Sequence, residues 1–235
     1  MRLVDDVVRM ARSVLDFVFP RSCCVCGRAL YGSEEVLCAE CLCRLPRLRY
    51  SSVVGNALWT YLNEKEEVER AMSLFVYKPG GVMGGVVHDF KYRHHPDTAR
   101  YMGKMLGREL LPTGFFEGID VMVPMPITRS RRRERGYNQS EELGRGISEV
   151  TGVGMDVCSV RRRVFARSQT KLSAEERREN LRGAFRIVDV ERLLGRHVLL
   201  IDDVITTGAT MCSCIGAMRE AGVSRISVLS LARTE

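Results

Sequence analysis

The fold is decided by the stretch Val198-Leu199-Leu200-Ile201-Asp202-Asp203-Val204-Ile205-Thr206-Thr207-Gly208-Ala209-Thr210. Its apolar start, residues 198–201, predicts a strand that is buried on both faces, as in a parallel sheet. The two aspartates follow at the carboxyl end of this strand, where open α/β sheets bind their ligands. The small-residue turn then enters a helix, whose free N–H groups and positive dipole end suit a phosphate. Two carboxylates beside a phosphate cradle predict a site for a ribose 5-phosphate.

This stretch has two alternative interpretations. An apolar run that ends in two aspartates also resembles a Walker B strand, which needs a partner loop of the form G-x-x-x-x-G-K-[ST]. Gly103-Lys104 lacks both the upstream glycine and the following Ser or Thr, so the chain has no such loop. The aspartates could instead only cap the next helix. Capping alone does not require the Thr-Thr-Gly-Ala-Thr turn, so we favour ligand binding.

Composition limits the class of protein. A chain of 235 residues fits one large domain and a small module, and 45% hydrophobic with 28% charged residues is typical of a globular protein. No apolar run approaches the roughly 20 residues that span a bilayer, and residues 1–19 lack a secretory h-region, so we expect a cytoplasmic protein without a membrane span. The net charge of +7 indicates anionic partners such as phosphates or nucleic acid.

Six of the nine cysteines lie between residues 23 and 43. Clustered cysteines in a cytosolic chain favour metal ligation over disulfides, and two C-x-x-C pairs can place four thiolates around a structural Zn²⁺. The pairs with this spacing are Cys23 with Cys26 and Cys38 with Cys41. Cys24 and Cys43 are additional thiols that could change the pairing, and a reduced, metal-free set is the alternative.

The chain is predicted to have three parts. Residues 1–19 carry apolar side chains at helical spacing and predict an amphipathic helix. Residues 20–46 form the zinc-binding module, and residues 70–235 form the large domain. Strands and helices alternate through the large domain, which predicts a mostly parallel, doubly wound α/β sheet. We expect its strands at residues 72–77, 119–123, 198–201 and 226–231.

Two basic segments are candidates for contacts with a polyphosphate. An arginine-rich loop is expected after the second strand, and its pyrophosphate-binding candidates are Thr128, Arg129 and Arg135. A second basic segment precedes a capping box and predicts a lid over the site. The lid candidates are Arg167, Gln169, Thr170 and Lys171. An ordinary exposed connection is the alternative for this second segment.

The combined motifs resemble one family across residues 20–233. Besides the cysteine pairs and the 198–210 stretch, they are Phe90-Lys91-Tyr92, Val123-Pro124-Met125-Pro126, Arg135-Gly136-Tyr137-Asn138-Gln139, Ser168-Gln169-Thr170 and Gly183-Ala184-Phe185. In this order they are similar to the ComF family of late-competence proteins, which combine a double zinc ribbon with a phosphoribosyltransferase-like domain. The 198–210 stretch by itself resembles the type I phosphoribosyltransferases, whose ligand is phosphoribosyl pyrophosphate (PRPP).

The resemblance implies a type I phosphoribosyltransferase fold with an N-terminal zinc-ribbon module. It also implies a role in natural transformation on incoming single-stranded DNA, beside a helicase-like partner and recombination-loading proteins. One position departs from the family pattern, because Thr128 stands where members usually carry His. Threonine can hydrogen-bond a phosphate, but it cannot carry a proton near neutral pH.

The leading hypothesis is a protein that binds PRPP or ribose 5-phosphate. Asp202 and Asp203 are expected to accept hydrogen bonds from the ribose hydroxyls, and the 206–210 turn is expected to hold the 5-phosphate. Mg²⁺ is expected to arrive with the pyrophosphate, because it keeps few protein ligands. A PRPP-dependent glycosyltransferase activity is one form of this hypothesis. The alternatives are a non-catalytic adaptor for DNA or protein on a retired transferase fold, and a salvage enzyme for nucleobases.

Overall fold

A computed structural model describes residues 21–50, 52–163 and 183–234. The helix predicted for residues 1–19 lies outside these ranges. The chain divides into two compact units, one that ends at Leu45 and one that begins at Pro46. None of the helices in the described ranges combines the length and the hydropathy that crossing a bilayer requires.

The small unit is built around its cysteines. Its helix α1 spans Ala39–Cys43, and the N-cap residue Cys38 accepts a hydrogen bond from the backbone N–H of Cys41 through its sulfur. An isolated antiparallel bridge joins Ser22 to Ala29. A core this small has little apolar area, so a bound metal would supply much of its folding free energy.

The large unit holds a four-stranded parallel sheet and a two-stranded antiparallel ribbon. The strands are β1 (Ala71–Val76), β2 (Val121–Pro124), β3 (Val160–Arg162), β4 (Phe185–Ile187), β5 (His197–Ile205) and β6 (Arg225–Arg233). The parallel sheet has the order β1-β6-β5-β2, and β3 pairs with β4 in the ribbon. Residues 198–201 are fully buried, which confirms the prediction of a strand covered on both faces.

Helices connect the parallel strands and cover the sheet. They are α2 (Ala57–Asn63), α3 (Val82–Tyr92), α4 (Pro96–Leu110), α5 (Arg129–Arg135), α6 (Gln139–Thr151) and α7 (Ala209–Glu220). Several of these helices begin at a residue whose side chain accepts hydrogen bonds from the first backbone N–H groups, which have no partner within the helix. The Asn56 side chain accepts hydrogen bonds from the N–H groups of Leu58 and Trp59, and Asn138 caps α6 by accepting from Ser140. The predicted α/β class is confirmed.

Helices α4 and α6 pack unusually close together through two glycines. A Cβ atom on Gly103 would collide with the carbonyl oxygen of Leu143, and one on Gly146 would collide with the carbonyl oxygen of Arg100. Only residues without a side chain allow this approach. The contact fixes α6, whose first turn faces the carboxyl end of β5 through Ser140.

The predicted arginine-rich loop after β2 is wrong, because this segment is the helix α5. Thr128 is its N-cap and accepts a hydrogen bond from the backbone N–H of Arg131 at 3.3 Å. Gly136 ends the helix with a φ of +79°, a conformation that glycine adopts without strain. The threonine before the arginine-rich segment and the glycine after it are therefore the signals for the start and the end of a helix. The high arginine content by itself does not indicate a helix.

Candidate functional site

The carboxyl ends of β2 and β5 border a cavity of about 230 Å³. Several residues that the sequence singled out line it together. They are Asp202, Asp203, Thr206, Thr207, Gly208, Ala209, Thr210 and Arg135. The geometry therefore brings the predicted carboxylates, the predicted phosphate turn and one predicted pyrophosphate ligand to a single site.

Asp202 lies partly buried in the second half of β5, which continues through both aspartates to Ile205 instead of ending before them as expected. Its Oδ1 accepts hydrogen bonds from the backbone N–H of Asp203 at 2.9 Å and from the hydroxyl of Ser140 at 3.2 Å. Burial and the neighbouring charge of Asp203 raise the pKa of Asp202 to about 7. This carboxyl group therefore changes its charge near neutral pH.

Asp203 is buried and has a cationic partner. Its Oδ2 lies 2.6 Å from the ammonium nitrogen of Lys91, at the end of α3, and its Oδ1 accepts a 2.7 Å hydrogen bond from the backbone N–H of Val204. Both side chains of the ion pair are largely shielded from solvent, 18% exposed for Lys91 and 11% for Asp203. The two adjacent aspartates thus have different surroundings, since one is paired with a lysine and the other is not.

The phosphate turn runs from the end of β5 into α7. Gly208 is the N-cap of α7 and has a φ of +62°. A Cβ atom there would also lie 3.0 Å from the ring of Tyr61, so both the backbone conformation and the close ring favour glycine at this position. The first N–H groups of the 12-residue helix have no intrahelical partner, and its residues 209–211 line the cavity, so the positive end of the helix dipole lies at the site.

Cationic side chains also line the cavity and form what we call its basic wall. Arg131 and Arg135 are four residues apart, so they share one face of α5, and Arg162 comes from β3. Burial and the nearby charge of Arg131 lower the pKa of Arg162. Together with Lys91 these groups outnumber the two carboxylates, so the cavity favours a ligand with several negative charges.

The other sequence candidates lie apart from this wall or outside the described ranges. Thr128 and Arg129 do not line the cavity that the described residues form, and Thr128 uses its hydroxyl as a helix cap. Their role in pyrophosphate binding stays a prediction. The lid candidates lie outside the described residues. They are Arg167, Gln169, Thr170 and Lys171.

Sequence reasoning assigned no role to several residues that the fold brings to the site. They are Lys91, Arg131, Gln139, Ser140 and Arg162, which line the cavity, and Tyr61, which supports the turn. Arg131 could have been found from helical spacing, since it lies one turn before Arg135. No sequence signal locates Tyr61 or Arg162, because their positions depend on how α2 and the β3–β4 ribbon pack.

The small unit carries a separate candidate metal centre. The four sulfur atoms of Cys23, Cys26, Cys38 and Cys41 all lie within 4.8 Å of one another, and the Cys26 and Cys38 sulfurs are 3.7 Å apart. Tetrahedral Zn²⁺ with Zn–S bonds of about 2.3 Å needs sulfur atoms about 3.8 Å apart. The cluster therefore fits a four-thiolate metal site with the ligand set predicted from the two C-x-x-C pairs.

The chain is similar to several known proteins. Residues 123–234 match the phosphoribosyl transferase domain family. The DNA utilization protein YhgH of Salmonella typhimurium is 29% identical over 216 residues, which cover 90% of each chain. Competence protein F of Haemophilus influenzae is 27% identical over 220 residues, or 90% of this chain and 96% of that one.

One solved structure to which the chain is similar is glutamine PRPP amidotransferase from B. subtilis, complexed with ADP and GMP. It is 21% identical, with a TM-score of 0.44, and the match covers 61% of this chain and 30% of that enzyme. The sequence relatives match over nearly their whole length. Their names agree with the competence family that the order of the sequence motifs resembles. The chain is therefore similar over most of its length to competence and DNA-utilization proteins, and its residues 123–234 match a phosphoribosyl transferase domain.

Proposed function

We propose that this protein binds PRPP or a related ribose 5-phosphate and acts in the handling of transforming single-stranded DNA. The proposal rests above all on one observation, that two unlike carboxylates and a helix N-terminal turn border the same small cavity. Carboxylates accept hydrogen bonds from a diol, and a helix N-terminus binds a phosphate. A ribose 5-phosphate carries both groups.

Each part of such a ligand has a proposed position in the cavity. The 5-phosphate lies against the N–H groups and hydroxyls of the 206–210 turn. The ribose hydroxyls donate to Asp202 and Asp203. The diphosphate on C1 extends toward the cations of the basic wall, Arg131, Arg135 and Arg162. Thr128, Arg129 and the lid candidates are proposed to add contacts once the ligand is bound.

Mg²⁺ is proposed to enter with the diphosphate. Asp203 is already paired with Lys91, so few oxygen atoms of this chain are available to the ion. Mg²⁺ commonly keeps water and substrate phosphates as its main ligands. Bound there, it would neutralise charge on the diphosphate.

A transfer reaction in this cavity would break the bond between C1 and the diphosphate oxygen. Positive charge develops on the ribose as the diphosphate departs, and fixed carboxylates stabilise it electrostatically. The acceptor would take the place of the diphosphate on C1. A PRPP turnover screen across nucleobases, amines and single-stranded DNA tests for such an acceptor. If none of these compounds gives turnover, the result supports a binding function without transfer.

The binding proposal is tested by calorimetry with PRPP and Mg²⁺. The wild type is expected to bind, and the double variant Asp202→Asn/Asp203→Asn is expected to lose at least about tenfold in affinity, because neutral amides accept hydroxyl hydrogen bonds more weakly than carboxylates. Asp189→Asn is the matched control, since this aspartate is an exposed partner of Arg192 away from β5. Absence of binding by the wild type, or unchanged binding by the double variant, contradicts the proposal.

The small unit is proposed to bind one structural Zn²⁺ through Cys23, Cys26, Cys38 and Cys41. Four thiolates leave no open coordination position, so the ion would stabilise the unit rather than take part in a reaction. Cys24 and Cys43 are not members of the sulfur cluster.

Binding of DNA is the second candidate function, and the exposed arginines of α5 favour it. Arg129 and Arg133 are exposed there, and Arg161 and Arg163 are exposed beside the cavity residue Arg162. Contacts between arginines and phosphates release counterions, so the affinity for single-stranded DNA is expected to fall steeply with salt. A partner of this kind agrees with the names of the competence and DNA-utilization relatives.

A matched pair of variants tests the DNA interface. Arg129→Gln/Arg133→Gln is expected to weaken binding of a fluorescent oligonucleotide and to reduce the salt slope by up to about 2. Arg108→Gln/Arg196→Gln removes the same charge from other exposed positions and should have the smaller effect. Equal effects of the two double variants would indicate nonspecific attraction by net charge, and salt-independent or absent binding would contradict a DNA interface.

A further inference from the structure

We propose that Lys91 is a ligand-binding residue of this cavity, which leaves Asp203 and binds the phosphates on C1 of the ribose when the ligand enters. The proposal rests on the proposed function, since it assumes that the cavity takes a ribose 5-phosphate with a phosphorylated C1. Lys91 lies in the sequence motif Phe90-Lys91-Tyr92, but the motif itself assigns it no role in ligand binding.

The first argument is the occupancy of the Asp203 oxygens. Oδ1 accepts the backbone N–H of Val204 at 2.7 Å, and Oδ2 is held by the Lys91 ammonium at 2.6 Å. Asp203 is buried, so its carboxylate has little room for additional partners. A ribose hydroxyl that donates to Oδ2 therefore competes with Lys91 for the same oxygen.

The second argument is the stereochemistry of the ligand. In an α-linked ribose 1-diphosphate, the substituent on C1 lies on the same face of the ring as the 2- and 3-hydroxyls. A cation beside the carboxylate that holds those hydroxyls is therefore close to the first phosphate on C1. The 5-phosphate is on the other face of the ring and binds at the 206–210 turn, so Lys91 distinguishes the two ends of the ligand.

The third argument is the mobility and charge of the lysine itself. A lysine side chain has a flexible four-carbon stem and a compact charge, so the ammonium can change partners without movement of the helix. Lys91 lies in the last turn of α3 and lines the same cavity as Arg131, Arg135 and Arg162. A diphosphate carries more negative charge than one carboxylate, which favours transfer of the ammonium from Asp203 to the ligand.

A purely structural role makes a different prediction. If Lys91 only holds Asp203 in place, its loss disturbs the ribose contact, which ribose 5-phosphate and PRPP share. If Lys91 binds the C1 phosphates, its loss affects PRPP more than ribose 5-phosphate. The ratio of the two affinities therefore separates the two roles.

The experiment compares binding of ribose 5-phosphate and of PRPP with Mg²⁺ by calorimetry, in the full chain. Lys91→Met is expected to weaken PRPP binding about tenfold more than ribose 5-phosphate binding. Lys104→Met is the matched control, because Lys104 also pairs with a carboxylate, that of Glu149 at 2.9 Å, but lies on α4 and does not line the cavity. It should leave the affinity ratio unchanged.

Two further results protect the interpretation. Lys91→Arg keeps the positive charge and should give an affinity ratio closer to wild type than to Lys91→Met. If the methionine variant does not fold, Lys91→Gln replaces it as the variant without the charge. Equal losses for both ligands, or no loss for PRPP, overturn the role of Lys91 while the proposed function stands. Failure of the wild type to bind either ligand contradicts the proposed function itself.

Discussion

The hydroxyl of Tyr61 donates a 2.7 Å hydrogen bond to the carbonyl oxygen of Thr207, although 146 residues separate them. The contact joins α2, which precedes the sheet, to the turn that follows β5. The Tyr61 ring also lies against Gly208, and the Lys65 ammonium lies 3.2 Å above its centre. Helix α2 thus supports the proposed 5-phosphate cradle from a segment in which the sequence shows no recognisable motif.

Tyr61→Phe is expected to weaken ribose 5-phosphate binding about 3- to 10-fold. The ring remains, but the turn loses one hydrogen bond, which contributes about 0.5–1.5 kcal/mol in typical cases. Calorimetry measures the change. Tyr77→Phe is the control, because Tyr77 follows β1, two strands from β5, and does not line the cavity. Equal affinities for Tyr61→Phe and wild type would show that the turn does not need this support.

Asp202→Asn is expected to stabilise the unliganded protein more at pH 8 than at pH 5. The pKa of Asp202 is raised to about 7, so the folded state binds its proton more tightly than the unfolded state does. Stability from this group is therefore lost as the pH rises from about 4 to about 7, and an amide avoids that loss.

Thermal unfolding of wild type and Asp202→Asn at the two pH values checks this sign. The difference in Tm between variant and wild type should be more positive at pH 8, by about 2 °C or more. Asp189→Asn is the control, because this carboxylate is exposed. A difference that is the same at both pH values, or larger at pH 5, is incompatible with a carboxyl group whose charge is penalised by burial.

Removal of metal is expected to unfold the small unit. Elemental analysis should find about one Zn²⁺ per chain, and Cys38→Ser should lose it, because Cys38 is a fully buried member of the sulfur cluster. Cys24→Ser and Cys43→Ser should retain the ion. Loss of zinc in either of these two variants would mean that the ligand set differs from the two C-x-x-C pairs.

Gly146→Ala is expected to destabilise the large unit by about 1–3 kcal/mol, the usual cost of forcing a larger side chain into a packed contact. Its Cβ would collide with the backbone of Arg100 where α4 and α6 meet. Gly154→Ala is the control, because no atom lies within 4 Å of a Cβ placed there. A Tm for Gly146→Ala equal to that of Gly154→Ala would contradict the close approach of the two helices.

The sequence predicted the part of the fold that depends on local pattern. The apolar run of residues 198–201 identified β5, because strands buried on both faces carry such runs, although the strand extends beyond the run at both ends. The two C-x-x-C pairs identified the sulfur cluster, because their spacing itself defines the ligand geometry. All four strands of the parallel sheet in the described residues overlap those expected, since each combines an apolar run with turn residues at its ends.

The parts that were missed depend on contacts between distant segments. The ribbon of β3 and β4 pairs residues on either side of a long intervening stretch, and neither strand exceeds three residues. The helix α5 was obscured by its arginines, whose charge suggested an exposed loop. Lys91 reaches Asp203 only because α3 ends beside β5, and no local pattern encodes that proximity.

The most direct test of the ribose 5-phosphate site compares the affinities of the wild type for ribose 5-phosphate and 2-deoxyribose 5-phosphate. A hydroxyl that donates to a carboxylate contributes about 1.5–3 kcal/mol, so wild type should prefer the ribose about tenfold or more. The double variant Asp202→Asn/Asp203→Asn should lose most of this preference. Equal affinity of the wild type for the two sugars, or a preference that persists in the double variant, would contradict a site in which these carboxylates hold the ribose.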